Sequence, residues 1–84
     1  MAGDLKRKFS VILALNELDA PTIEDLHNHT SIPTPSLRRH LKALESELFM
    51  SIKKARKANV THYILQGWGV LDRDMFLRKI RADE

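Results

Sequence analysis

The chain contains no cysteine among its 84 residues. Disulfides and thiolate metal sites are therefore excluded, and the composition is compatible with a reducing compartment. Glycine is scarce, at three residues, and none of the three belongs to a glycine-rich phosphate loop. Serine, histidine and aspartate all occur, but without a nucleophile turn or a paired-carboxylate segment, so no enzyme is expected. Aromatic residues make up only 6%, which leaves no cluster on which unpaired bases could stack. The longest apolar stretch, residues 9 to 15, is far too short to span a bilayer, and no small-residue cleavage pattern follows it despite Lys6, Arg7 and Lys8 in front. It reads as a core helix of an unsecreted, cytoplasmic protein.

What remains is 43% hydrophobic and 30% charged, the balance of one small globular domain over residues 1–84, with room for one core. The most informative segment runs from Thr22 to Leu44. Leu37, Leu41, Leu44 and Leu48 recur at i, i+4, i+7 and i+11, a narrow stripe at about 100° per residue that is suited to burial. Opposite or flanking that stripe lie Pro35, Arg38, Arg39, Lys42, Ala43 and Ser46, with no carboxylate before Glu45. A face chosen for solubility alone usually mixes both signs.

Both ends of this segment carry helix punctuation. Thr34 is expected to cap the longer helix and Pro35 to occupy its first position, where a missing N–H costs nothing. Pro33 stops the preceding helix, which starts with Thr22 and Asp25 as an Asp-bearing capping box, buries Ile23 and Leu26, and is expected to end near His29. A short helix, a break of about four residues and a longer basic helix form the order expected when the second helix enters a major groove.

The charge is unevenly placed. Residues 1 to 37 carry three basic and five acidic groups, residues 38 to 57 carry seven and two, and residues 58 to 84 carry four and four. Nearly all of the formal +3 thus comes from one block, which is what phosphate neutralisation requires.

Around that block, Asp4 is expected to cap a first helix reaching about Leu18, with Leu5, Phe9, Ile12 and Leu13 inward and Val11 and Leu15 widening the stripe. Residues 19 to 21 break it. After Leu48 the periodicity falls to two, and Met50–Ala55 and Val60–Leu65 read as strands around a polar tip, Arg56, Lys57, Ala58 and Asn59, with Asn59 able to take a positive φ. Lys53, Lys54, Arg56 and Lys57 crowd at and beside the tip, where such an arm can reach a phosphate backbone. Gly67 and Gly69 end the second strand, and a last helix is expected from about Asp72, with Met75, Phe76, Leu77 and Ile80 on its apolar side.

The order helix, helix, helix, basic hairpin, helix resembles the winged helix-turn-helix family of transcription regulators over nearly the whole chain. The run PTIEDLHNHTSIPTPSLRRHLKALES carries the resemblance. It implies an α+β fold of three helices, a two-stranded wing and a C-terminal helix. It also implies double-stranded DNA as partner, contacted by Thr34, Ser36, Arg38, Arg39 and Lys42 of the recognition helix and by Lys53, Lys54, Arg56 and Lys57 of the wing. Many members place a left-handed glycine just after the recognition helix, where this chain has Glu47 and Leu48. A non-glycine residue in that conformation costs on the order of 1 kcal/mol, and the alternative is that the helix runs on. Larger members add an effector-binding or dimerisation domain. Nothing in this sequence serves as one, so no small-molecule effector is expected.

Arg38 and Arg39 are the sharpest candidates, because an arginine can fork onto guanine O6 and N7 or clamp a phosphate. If Arg39 reads a base, its removal should cost about 1 to 3 kcal/mol and relax one position. His40, on the shoulder of the stripe, reads as a partly buried structural residue. His27 and His29 point to different sides of their helix with nothing to complete a site, so neither metal nor cofactor is expected. Trp68, Met75, Phe76 and Ile80 either close the core against the first helix or form a face for a homodimer. The sequence therefore leads to a DNA-binding regulator, repressor rather than activator. The rival readings are a protein-interaction module of a larger assembly and an RNA-binding winged helix.

Overall fold

Prolines and capping side chains divide the first half of the chain into three helices. In the computed structural model, which describes residues 2–82 and side chains from Leu5 to Ile80, these are α1 (Ala2–Glu17), α2 (Ile23–Thr30) and α3 (Thr34–Glu47). The strands β1 (Ser51–Lys57) and β2 (Val60–Gly67) and the helix α4 (Arg73–Ala82) follow. The architecture is α+β, a winged helix-turn-helix: three helices, a two-stranded antiparallel wing and a C-terminal helix. No described helix is long and apolar enough to cross a membrane.

The capping box of α2 is formed in full. The Asp25 N–H donates to Thr22 Oγ1 at 3.1 Å and the Thr22 N–H donates to Asp25 Oδ2 at 3.0 Å, so two otherwise unmatched donors are satisfied reciprocally. These contacts, the Thr22 backbone N–H first and its side chain second, hold the Asp25 carboxyl below its usual range. The helix closes at Ser31, which is left-handed at φ 62° and returns its N–H to the His27 carbonyl at 2.7 Å.

The start of α3 differs from expectation. Pro33, not Thr34, is the N-cap, and no side chain caps the helix. Thr34 and Pro35 are already helical, and Pro33 supplies the first acceptor, its carbonyl taking the Leu37 N–H at 2.9 Å. The reason is that two prolines spaced by one residue both fit where N–H groups have no intrahelical acceptor, and the N-cap and second helical positions satisfy that together. Asp4 is likewise not a cap, because α1 begins at Ala2.

At its other end α3 stops on schedule. Leu48 stays right-handed and the left-handed residue is Phe49, at φ 57°, one place beyond the expected glycine position. The Met50 N–H reaches back to the Leu44 carbonyl at 3.2 Å, which helps to offset a backbone cost of about 1 kcal/mol.

The core gathers Val11, Ile12, Ala14 and Leu15 of α1, Leu26 of α2, and Leu37, Leu41 and Leu44 of α3 under Met50, Ile52, Phe76 and Leu77. The leucine stripe is thus buried as its spacing requires, with Leu48 half-buried at its end. On α1 the buried face is rotated from the one anticipated. Leu5 is 52% exposed and Phe9 and Leu13 are only partly covered, because that i, i+4, i+8 line meets α4 rather than the helix-turn-helix. The ring of Phe76 closes this side, edge-on to Phe9 at 5.2 Å and tilted against Trp68 at 5.5 Å. Trp68 and Phe76 therefore belong to the core, whereas Met75 is 56% exposed.

Candidate nucleic-acid interface

Burying Leu37, Leu41 and Leu44 forces the opposite side of α3 outward, and Arg38, Arg39 and Lys42 are exposed there. Thr34 and Ser36 are half-buried. Ser36 Oγ accepts a bond from Arg39 Nη2 at 3.1 Å, which steers that guanidinium back along its own helix. At about 100° per residue, Arg38 and Lys42 lie on one flank of the outward face. Arg39 lies nearly opposite the leucine stripe, in the middle of the outward face, and lines a cleft with Arg7, Lys8, His40 and Ala43 on the side of α1. His40 is buried, at 7% exposure.

The wing is built by a tight turn. Ala58 and Asn59, at φ 50° and 65°, form a two-residue loop between paired Lys57 and Val60, and two consecutive left-handed residues match the twist of the flanking strands. The tip is shorter than anticipated, since Arg56 and Lys57 are already paired within β1. Register also corrects the idea of one crowded basic tip. Lys54 and Arg56 stand opposite Tyr63 and Thr61, on the face that carries Ile52 at its root, while Lys53 and Lys57 stand opposite Ile64 and Val60 on the other face. All four are exposed, but they divide two and two between the faces of the ribbon.

The wing is anchored to the helices along the free edge of β2. The Tyr63 N–H donates to the Pro21 carbonyl at 2.8 Å, and Thr22 forms a bridge with His62. His62 Nδ1 lies 2.8 Å from the Ala20 carbonyl. A carbonyl only accepts, so Nδ1 carries the proton. Sequence reasoning found no role for His62, and its alternation within a strand offered no signal. At the far end, Ser51 pairs with Gly67 and Ile52 with Leu65, which leaves Gln66 as a bulge.

Electrostatically, the two halves share one property. Among the described residues, ion pairs join Lys8 to Glu47, His29 to Glu17 and Arg73 to Asp74. None involves Arg38, Arg39, Lys42, Lys53, Lys54, Arg56 or Lys57. Among the described residues, these seven cations thus face solvent without an internal carboxylate, which suits them to phosphate oxygens. His27 and His29 serve locally: His27 Nδ1–H donates to the Ile32 carbonyl at 2.8 Å, and His29 Nε2 lies 3.3 Å from Glu17 Oε2. Among the described residues, no three histidines or carboxylates gather as a metal site.

Helices α1 to α3 with the paired wing define a winged helix-turn-helix fold. The same arrangement occurs in a solved structure of BpsR from Bordetella bronchiseptica, a protein whose DNA binding is regulated by 6-hydroxynicotinic acid. That match has a TM-score of 0.66 at 19% identity and covers 92% of this chain and 58% of the other. The present chain therefore spans little more than half the length of that neighbour, and the likeness is one of fold. No family model matches the sequence, and no curated protein is significantly similar to it.

Proposed function

We propose that the protein is a non-enzymatic, sequence-specific regulator that binds duplex DNA, with α3 in the major groove and the wing on the flanking backbone. The observation that carries this reading is the outward face of α3, cationic and, among the described residues, free of internal carboxylate partners; the wing carries the same sign. The fold shared with a protein whose DNA binding is regulated supports it. Repression by occupying an operator in the cytoplasm is the simplest mechanism for such a binding surface. Arg38 and Lys42, on the open flank, are assigned to base edges and adjacent phosphates, and Thr34 and Ser36 to the backbone at the helix start. The wing cations Lys53, Lys54, Arg56 and Lys57 are assigned to flanking phosphates. No metal, cofactor or small-molecule effector is assigned, so 6-hydroxynicotinic acid is expected to leave DNA affinity unchanged.

The test is an amide-shift titration of labelled protein with random duplex DNA, repeated across salt. Shifts confined to residues 34–42 and 53–59 are expected, with affinity falling about 1,000-fold between 50 and 200 mM salt if about six phosphates are contacted. Shifts elsewhere, or none, would remove the DNA-binding assignment.

A second partner has its own observation. Between α1 and α4 lies an open groove of about 890 Å³, lined by Leu5, Phe9, Leu13, Val70, Met75 and Ile80 among others. Leu5, Val70 and Met75 are each more than half exposed there. Our reading places a homodimer contact on this face, through Met75 and Ile80, so that two α3 helices could occupy half-sites about one helical turn apart. Sedimentation equilibrium of wild type and Met75→Glu tests it, and a monomer at all concentrations would discard the dimer while leaving the DNA assignment in place.

A further inference from the structure

A cleft between α1 and α3 is lined by three basic side chains from two helices. Its lining is Arg7, Lys8, Arg39, His40 and Ala43, with a volume of about 190 Å³. Two arginines from different helices converge on it, Arg7 exposed on α1 and Arg39 exposed on α3, and neither makes an ion pair among the described residues. Among the described residues, Lys8 is the cation of the cleft that has a carboxylate, Glu47, at 3.5 Å. Converging guanidinium groups repel one another unless an anion lies between them, and two arginines suit the several oxygens of a tetrahedral phosphate better than an ammonium does. The floor is formed by buried His40 and half-buried Ala43, so a ligand there would be gripped from the sides.

We infer that Arg7 and Arg39 form a two-pronged clamp for one backbone phosphate of bound duplex DNA, which extends the footprint from α3 onto α1. The inference rests on the DNA-binding reading. It also gives Arg39 a different task from Arg38. The bond from Arg39 Nη2 to Ser36 Oγ at 3.1 Å holds the side chain near its own helix, the geometry of a group that waits for a backbone phosphate. Arg38, on the flank of α3 away from α1, has no described partner to turn it from the groove floor. Removal of Arg39 should therefore weaken all sequences alike, whereas removal of Arg38 should alter preference between sequences.

Lys6 supplies the internal control. It is adjacent to Arg7 and carries the same charge, but lines the groove towards α4 instead of this cleft. Binding of the full chain to one random duplex is followed by fluorescence anisotropy over a salt series for wild type, Lys6→Ala, Arg7→Ala, Arg39→Ala and the double variant of the two arginines. Arg7→Ala is expected to weaken binding about tenfold at low salt and to make the log–log salt slope shallower by about 0.9, the value of one phosphate contact. Lys6→Ala should leave the slope within error of wild type. The double variant should lose little more slope than either single change, because both arginines serve one phosphate. If wild type binds but Arg7→Ala keeps its slope, or Lys6→Ala loses as much, the clamp is wrong and the α3 interface stands. If wild type shows no salt-dependent binding, the DNA-binding reading itself fails, and the clamp with it. Arg7 is exposed, so the variant should fold, and an unchanged thermal melt confirms that a lost slope is not lost structure.

Discussion

Replacing Gly69 by alanine should be among the most damaging single-methyl changes in this protein. Gly69 holds φ 57°, and a Cβ built there would overlap the Leu48 carbonyl oxygen and lie 2.5 Å from the Phe49 carbonyl carbon. Those atoms are backbone, at the end of α3, so no side-chain rotation relieves the clash. Three costs follow. Alanine in the left-handed region costs about 1 kcal/mol. Separating the two segments loses the bond from the Val70 N–H to the Leu48 carbonyl, 2.9 Å long, at about 1 kcal/mol. Displacing packed backbone adds about 1 to 3 kcal/mol. The sum is about 3 to 5 kcal/mol, against a total of roughly 4 to 13 kcal/mol for a domain of this length. Urea unfolding followed by circular dichroism should show the midpoint fall by about 3 to 5 M, or the protein already unfolded without urea, if the slope is near 1 kcal/mol/M. Gly67→Ala is the matched control: its Cβ would meet only Ser51 side-chain atoms, at 3.3 Å, and should cost about 1 kcal/mol or less. A Gly69→Ala protein within 1 kcal/mol of wild type, or a control equally unstable, would refute the close contact between α3's end and the approach to α4.

The remaining predictions concern turns, caps and surface charge. Ala58→Gly, at a left-handed position of the wing turn, should stabilise the protein by about 0.5 to 1 kcal/mol, read from thermal melts; a destabilised variant would contradict the assigned turn. Thr22→Ala removes the cap of α2 and should cost about 1 kcal/mol in urea titrations, and no loss would mean that the box bonds are not maintained. Because the Asp25 carboxyl is depressed in the folded state, its contribution is present above the unfolded aspartate pKa and disappears as pH falls through the lower folded value. Asp25→Asn should accordingly flatten the acid limb of the stability profile, and an unaltered limb would count against the linkage. Lys8→Ala breaks an exposed pair with Glu47, whose side chains are 24% and 59% accessible, and should change stability by under about 0.5 kcal/mol. A loss above 1 kcal/mol would point to the cleft and not to the ion pair.

Much of this architecture is legible in the chain because its signals are local. The spacing of Leu37, Leu41 and Leu44 makes a buried stripe whatever covers it, Thr22 and Asp25 find each other three residues apart, and the last helix starts next to Asp72, whose Oδ1 takes the Met75 N–H at 2.9 Å. Periodicity two after Leu48 suffices for a hairpin. The candidate cations of α3 follow from the same geometry, since a helix with one dry side must turn its other side out.

The features that escaped depend on which element lies opposite. Pro33 and Thr34 both look able to begin a helix, and only the folded backbone chose the proline. Leu5, Phe9 and Leu13 satisfy a helical stripe as well as Val11, Ile12 and Leu15 do. The position of α4 against α1 decided that the first set faces a groove and the second the core. The wing lysines alternate along β1, but their division between two faces became visible with the register to β2. Likewise Arg7 is one cation in a basic run until α3 sets Arg39 beside it. Local spacing determines which side of an element is dry, because that requires only the geometry of one helix or strand. Which polar groups from distant segments come to share a surface is decided by tertiary packing, because it depends on relative orientations that no single segment encodes.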